Sequence, residues 1–307
     1  MRDILITGGT GKIGFNLVEK LLDTNYSVTI FDLESPNSLK KMSSVKNNVK
    51  FVYGDVEDEN LVRDLVKRND FVIDYAGIMP PFANLDEDIA NSTNFIGTKN
   101  IADAIKEVNP ECVYFYMSFI SVFGEADKAK RTINVETEST HPDDYYSVSI
   151  IRSENYIRDN LEKFVILRMP LVLTRKNYFI NHMQLGKRVD CITKDNLNDI
   201  VIGILDSKKV LGKTYNISGF KVLTDNLIDG IYRSTGELTI LGRSLYYGEY
   251  EDAKEIDKVV DIQYSNLEEA LSFYKDESSV RLNVIRKSVN FLKYLLFKKM
   301  GNSRKKN

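Results

Sequence analysis

Apolar and polar positions alternate along the first half of the chain with two different periods. Ile4-Leu5-Ile6, Phe71-Val72-Ile73 and Val113-Tyr114-Phe115-Tyr116 are unbroken apolar runs, the pattern of strands buried on both faces. Such runs predict strands at 3–7, 27–32, 49–54, 70–75, 112–117 and 163–168. Helical periodicity fills the intervals at 12–24, 57–68, 86–107 and 145–161. This alternation implies an α/β fold, a doubly wound parallel sheet with helices on both faces. After Pro170 the pieces shorten: a helix at 195–206, a strand at 214–217, a helix at 224–235, a strand at 238–241 and a helix at 267–274. They predict a smaller C-terminal lobe lying over the carboxyl edge of the sheet, where open α/β sheets hold their ligands.

The first strand runs straight into glycines at 8, 11 and 14, within Thr7-Gly8-Gly9-Thr10-Gly11-Lys12-Ile13-Gly14. Gly8 permits the sharp turn, Gly11 lets the backbone approach a diphosphate, and Gly14 lets the next helix pack close to the strand. The helix N-terminus then offers unpaired N–H groups and partial positive charge to phosphates. The second predicted strand ends in Asp32, eighteen residues after Gly14, where an acid accepts hydrogen bonds from an adenosine ribose. Leu33-Glu34-Ser35 follow, with no Arg or Lys to receive a further phosphate, so NAD is favoured over NADP.

Composition narrows the setting. The chain has 307 residues, 43% of them hydrophobic and 28% charged, the profile of a globular protein with a sizeable core. Its two cysteines, Cys112 and Cys191, form no disulfide framework, which predicts a reducing, cytoplasmic setting. Two histidines, His141 and His182, with no cysteine beside them give no zinc pattern, so no metal is expected. The first strand begins almost at Met1, which predicts no cleavable leader, and no apolar stretch reaches the length of a membrane span.

Further segments carry a resemblance. Gly54-Asp55-Val56, Tyr75-Ala76-Gly77, Asn94-Phe95-Ile96-Gly97-Thr98, Val122-Phe123-Gly124 and Gly212-Lys213-Thr214-Tyr215-Asn216-Ile217, together with the glycine turn, are similar to motifs of the extended short-chain dehydrogenase/reductases, in particular the NAD-dependent epimerases and dehydratases of nucleotide sugars. The resemblance extends to about Asp276. It implies a Rossmann domain at 1–170 to which 195–217 returns, a substrate-binding lobe at 171–277, and a basic helix and tail at 278–307. It implies cofactor contacts from Gly8, Thr10, Gly11, Lys12, Ile13, Gly14, Asp32, Asp55, Val56, Ala76, Gly77, Asn94 and Tyr146. Asp199 resembles an acid that precedes a helix of the second lobe. A nucleotide-sugar ligand is implied, and a homodimer through the helices holding Asn91–Glu107 and Tyr145–Asn160.

The reaction machinery of that family is a Tyr, a Lys four residues later, and a Ser or Thr on the fifth strand. Here Ser149 and Glu154 set the register of Asp144-Tyr145-Tyr146-Ser147-Val148-Ser149-Ile150 so that Tyr146 takes the tyrosine position and Ile150 stands where Lys belongs. Counting back from Gly124 puts Phe119 where the Ser or Thr belongs. Ser118 alternates to the opposite face, and Ser121 is the substitute if the strand stays regular. The candidate catalytic residues are therefore Tyr146 and Ser121. Ile120 and Ser121 replace the Asp-Glu pair of the dehydratases, and Leu171 replaces a substrate-binding Asn. Arg152, six residues beyond Tyr146, lies on another helix face.

Charge is uneven. From 278 to 307 there are nine basic residues and no acidic one, and Val284, Ile285, Val289, Leu292, Leu295, Leu296 and Met300 recur at helical spacing. This predicts a final helix packed on the second lobe, ahead of an interfacial helix on anionic lipid. The acidic remainder disfavours nucleic acid. Three functions are compatible with the sequence: an NAD-dependent nucleotide-sugar enzyme with a nonstandard helper for Tyr146, a non-catalytic NAD-binding protein, and a membrane-surface accessory of glycan assembly.

Overall fold

Seven of the apolar runs pair side by side in a computed structural model of the chain, which describes residues 2–45, 49–124, 144–174, 178–181, 184–238, 255–276 and 289–295. The strands are β1 (Arg2–Thr7), β2 (Tyr26–Asp32), β3 (Lys50–Tyr53), β4 (Phe71–Asp74), β5 (Val113–Phe119), β6 (Phe164–Met169) and, after an excursion, β9 (Lys213–Asn216). Their order is β3-β2-β1-β4-β5-β6-β9, and every pairing is parallel. The order reverses between β1 and β4, which opens a crevice at the carboxyl ends of those strands.

Helices cover both faces of the sheet. They are α1 (Lys12–Leu21), α2 (Pro36–Val45), α3 (Glu59–Val66), α4 (Glu87–Asn91), α5 (Thr98–Val108), α6 (Tyr145–Asn160) and α8 (Lys194–Ile204). One core layer joins Leu5, Val72, Tyr114 and Ile166 of the strands to Ile101 and Ile157 of α5 and α6. The other joins Ile4, Ile30, Phe115 and Val165 to Leu17 and Ile200 of α1 and α8. Neighbouring strand residues thus send their side chains to opposite layers, as the pleat requires.

The chain departs from the expected outline in three places. The helix expected at 86–107 is broken: α4 and α5 are separated by a π-helical stretch over Ser92–Gly97. Helix α2 follows β2 where no helix was expected; its short apolar stripe is Leu39, Met42 and Val45, and it buries only Ser38 and Val45. After Pro170 a second sheet forms from β7 (Leu171–Leu173), β8 (Arg188–Thr193) and β10 (Phe220–Leu223) in the order β10-β8-β7, with the short α7 (Tyr178–Asn181) between β7 and β8. Helix α9 (Thr224–Thr235) and α10 (Leu267–Asp276) continue this part. Of the strand expected at 238–241, Leu238 is not in a strand and the rest lies outside the described residues.

Helix α8 packs on α1 through polar contacts. Asn16 donates to Asp195 at 2.9 Å, and Lys20 pairs with Asp199 at 2.7 Å. Asp199 therefore sits in an ion pair with the first helix. Near the end of the chain, 289–295 is helical and docks on α9. The Tyr294 ring stacks on Tyr232 with centroids 4.0 Å apart, and Asn290 donates to the Gly236 carbonyl at 2.8 Å. Val289, Phe291, Leu292 and Leu295 of this segment are exposed. The rest of the basic tail lies outside the described residues. Among the described residues no helix is long and apolar enough to cross a membrane.

Candidate functional site

The glycine turn between β1 and α1 is tight because nothing larger fits. Gly8 has φ +61°, and a Cβ there would lie 2.6 Å from the Tyr75 carbonyl oxygen. A Cβ on Gly14 would lie 2.6 Å from the Gly8 carbonyl oxygen and 3.0 Å from the Gly9 Cα, so α1 rests directly on the turn. The Gly11 N–H donates to the Gly8 carbonyl at 2.9 Å, and among the described residues no side chain caps the helix. The first-turn amides of a helix have no acceptor within it. Bare backbone and uncapped amides converge at the crevice, which is the chemistry of a diphosphate cradle.

Two adjoining hollows of about 480 and 760 Å³ extend from this cradle and share Gly8, Gly11, Tyr75, Ala76, Gly77 and Ile78. The smaller is lined by Thr10, Asp32, Asn37, Asp55 and Val56, among others. The Asp32 carboxylate stands at its edge, accepting from the Thr10 N–H at 2.8 Å, the Thr10 hydroxyl at 2.6 Å and the Leu33 N–H at 2.8 Å. Lys41 of α2 donates to the Thr10 and Gly11 carbonyls at 2.8 and 3.1 Å, holding the back of the turn. Lys41 was not legible beforehand, because it lies nine residues past Asp32 and its partners are backbone carbonyls of the glycine turn.

The larger hollow is lined by Lys12, Ile13, Gly14, Asn94 and Tyr146 and by a set of apolar side chains. Asn94 ties the β4 loop to α6. Its Oδ1 accepts from the Ile78 N–H at 2.7 Å, while its Nδ2 donates to the Ile78 carbonyl and to Ser149 Oγ, both at 3.1 Å. The π-helical stretch is what carries Asn94 to this position. Asp74, at the end of β4, also lines the hollow. Its carboxylate accepts from Thr7 Oγ1 at 2.5 Å, the Tyr114 hydroxyl at 2.6 Å and the Ala76 N–H at 3.2 Å. Burial raises the Asp74 pKa against the opposing pull of those bonds.

Every residue expected to contact a cofactor lines one of the two hollows. The two candidate catalytic residues part company. Tyr146 lines the larger hollow and is buried. Burial, and then the negative charge of Asp144, push its phenol up from the ordinary tyrosine range. Ser121 lines neither hollow. The strand does not stay regular there: β5 ends at Phe119 and a 3₁₀ turn runs from Ile120 to Phe123, which buries Ser121 with no hydrogen-bond partner for its hydroxyl among the described residues. Ser121 is thus not brought to Tyr146 in the way the spacing predicted.

Phe119 and Ile150 occupy the wall beside Tyr146. Phe119 meets the Tyr146 ring edge-on with centroids 6.3 Å apart and stacks on Phe179 at 4.9 Å. Ile150 is buried one helical turn beyond Tyr146. Ser118 turns to the other side, where its hydroxyl donates to Glu154 at 2.5 Å. Glu154 is fully buried and held by Arg168 through two bonds of 2.9 and 2.6 Å, with Arg158 at 2.9 Å. Burial works against the Glu154 charge, but Arg168, Ser118 and Arg158 outweigh it and hold the carboxyl below the usual range.

Comparison with known proteins agrees with this geometry. Residues 4–195 match the model of the NAD dependent epimerase/dehydratase family. The low-salt glycan biosynthesis protein Agl12 of Haloferax volcanii is 30% identical over 182 residues, 56% of this chain and 55% of that protein. The chain thus spans about half the length of that relative. A dTDP-glucose 4,6-dehydratase of Mycobacterium tuberculosis is 26% identical over 245 residues, 70% of this chain and 72% of the enzyme. The crystal structure of UDP-glucuronic acid 4-epimerase from Bacillus cereus, in complex with UDP-glucuronic acid and NAD, superposes with a TM-score of 0.74 at 19% identity, covering 90% of this chain and 99% of that one. At that identity the likeness speaks for the fold.

Proposed function

The chain belongs to the NAD dependent epimerase/dehydratase family, with NAD as its cofactor, and from that premise we propose that it is an NAD-binding protein whose second hollow receives a ligand without oxidising it. Gly8, Gly11 and the first turn of α1 would hold the diphosphate, Asp32 the adenosine ribose, and Asp55 and Val56 the far end of the smaller hollow. Bound NAD would supply a hydride acceptor at its nicotinamide end.

The observation that carries the reading is the wall around Tyr146. Moving a hydride from a carbinol requires a base to take the hydroxyl proton, and that base works best with a pKa near the working pH. An unshifted phenol is ionised to about one part in a thousand at neutral pH. Here burial and Asp144 push it the wrong way. Ile150 puts a hydrocarbon where a cation would counter that shift, and Phe119 puts another where a second hydroxyl would orient the substrate. Among the described lining residues the one cation is Lys12, on the glycine turn.

A second reading is favoured by one fact: Tyr146 still faces the larger hollow. On that reading it serves as acid and base on a nucleotide sugar, the substrate class in the names of the dehydratase and epimerase relatives. The two readings separate in one experiment. NAD is titrated into the protein by calorimetry, and reduced-nicotinamide absorbance and products are then followed with UDP-, GDP-, CDP- and dTDP-sugars. Heat of NAD binding with no turnover above a Tyr146→Phe control is the expected result. Turnover that Tyr146→Phe abolishes overturns the binding reading, and absence of NAD binding overturns both.

A further inference from the structure

Resting on the reading that the cleft holds a dinucleotide, we propose that the ligand of the larger hollow is a small molecule with an aromatic or hydrocarbon body, not a sugar. The hollow, about 760 Å³ in all, begins at the glycine turn, where the dinucleotide would enter, and reaches the apolar residues around Tyr146. Its inner wall is built from Phe119, Ile150 and Phe179, which are 4%, 5% and 3% exposed. Its mouth carries Met79 and Phe82, which are 44% and 65% exposed. An apolar surface therefore continues from solvent to the back of the site. Exposed side chains of this size at a cavity mouth gain most from a partner that covers them.

The polar groups of the wall make the same point. A sugar presents hydroxyls in several directions, and each must find a partner when it leaves water. Asp74 already accepts from Thr7, Tyr114 and Ala76. The Asn94 carboxamide is committed to Ile78 and Ser149. Among the described lining residues the Tyr116 hydroxyl is shut inside the protein and that of Tyr75 is taken by Asn198, so the side-chain hydroxyls that can meet a ligand beside the aromatic pair are those of Tyr146 and Thr174. Two such handles suit a molecule with one polar end and an apolar remainder.

The test uses the full chain saturated with NAD and phenylnaphthylamine, an uncharged aromatic probe whose fluorescence rises in apolar surroundings. The expected result is saturable one-site binding that UDP-glucose does not displace. Phe179→Ser weakens it about tenfold, the equivalent of losing one buried aromatic contact. Phe82→Ser, at an exposed position that the fold does not depend on, weakens it severalfold and stands alone if Phe179→Ser does not fold. Displacement by UDP-glucose, absence of saturable binding, or indifference to both substitutions overturns the proposal. Calorimetry with NAD on the same samples reports separately on the dinucleotide half, so loss of that binding is a failure of the underlying reading.

Discussion

Placing an ammonium at position 150 tests the account of Tyr146 directly. Ile150 lies four residues after Tyr146 on α6, so the two side chains are neighbours on one helix face, about 5–6 Å apart at Cβ. A positive charge about 5 Å from the phenol oxygen, at an effective dielectric constant of about 20, favours tyrosinate by about 3 kcal/mol. That corresponds to a fall of about two pKa units. Ile150→Lys should thus bring the Tyr146 phenol back toward neutral by about that amount. The buried ammonium is also costly, and several kcal/mol of stability should be lost. The assay is tyrosinate absorbance against pH, taken as the difference between Ile150→Lys and Ile150→Lys/Tyr146→Phe, so that the other tyrosines cancel. Unfolding in urea on the same pair checks that the titration is followed in folded protein. A Tyr146 step that stays where burial put it, in a variant that is folded, would refute the reasoning. Adding Phe119→Ser should leave that shift in place, since a hydroxyl carries no charge.

Other substitutions follow the same physics. Glu154→Gln leaves Arg168 buried beside a neutral amide and should cost about 3–5 kcal/mol in urea unfolding, most of it recovered when Arg168→Met is added. The Glu154 pKa is lowered on folding, so its contribution is present above the ordinary carboxylate range and is lost as pH falls through the folded value; the acid limb of stability should be shallower in Glu154→Gln. Asp74 has the opposite sign: its folded pKa is raised, so stability falls as pH rises from the ordinary carboxylate value through the folded one, and Asp74→Asn should flatten that slope in urea titrations at successive pH values. Gly14→Ala forces a Cβ against the Gly8 carbonyl and should weaken NAD binding about tenfold or more by calorimetry, while Gly9→Ala, whose nearest neighbour is an Ile30 methyl at 3.0 Å, should cost less.

What could be read from the chain was what local sequence alone determines. The glycine turn and Asp32 were legible because a positive φ, a close helix approach and a strand-end carboxylate each demand a residue type at a fixed spacing. The buried parallel strands were legible as apolar runs. Position 150 was legible because Ser149 and Glu154 set the register of α6. What escaped depended on distant partners. Helix α2 has only a three-residue apolar stripe, Leu39, Met42 and Val45, and its Lys41 reaches back to Thr10 and Gly11. Strands β7 and β10 are three and four residues long and exist through pairing with β8. Ser121 was misplaced because a count of alternating positions assumes an extended backbone, and the chain curls into a 3₁₀ turn immediately after Phe119. The π-helical bulge at Asn94 is likewise fixed by the Ile78 backbone that it grips.

The excursion between β6 and β9 bears on how this protein can be cut. The chain leaves the large sheet at Met169, builds most of the small one, and comes home as a border strand hydrogen-bonded to the one it left. Both ends of the excursion are therefore stitched to adjacent seams. A fragment stopped at Pro170 would strip away that border and lay open the Phe164-Val165-Ile166-Leu167 backbone to any passing strand. It should precipitate where the whole chain stays dispersed, so the cradle cannot be harvested without its companion.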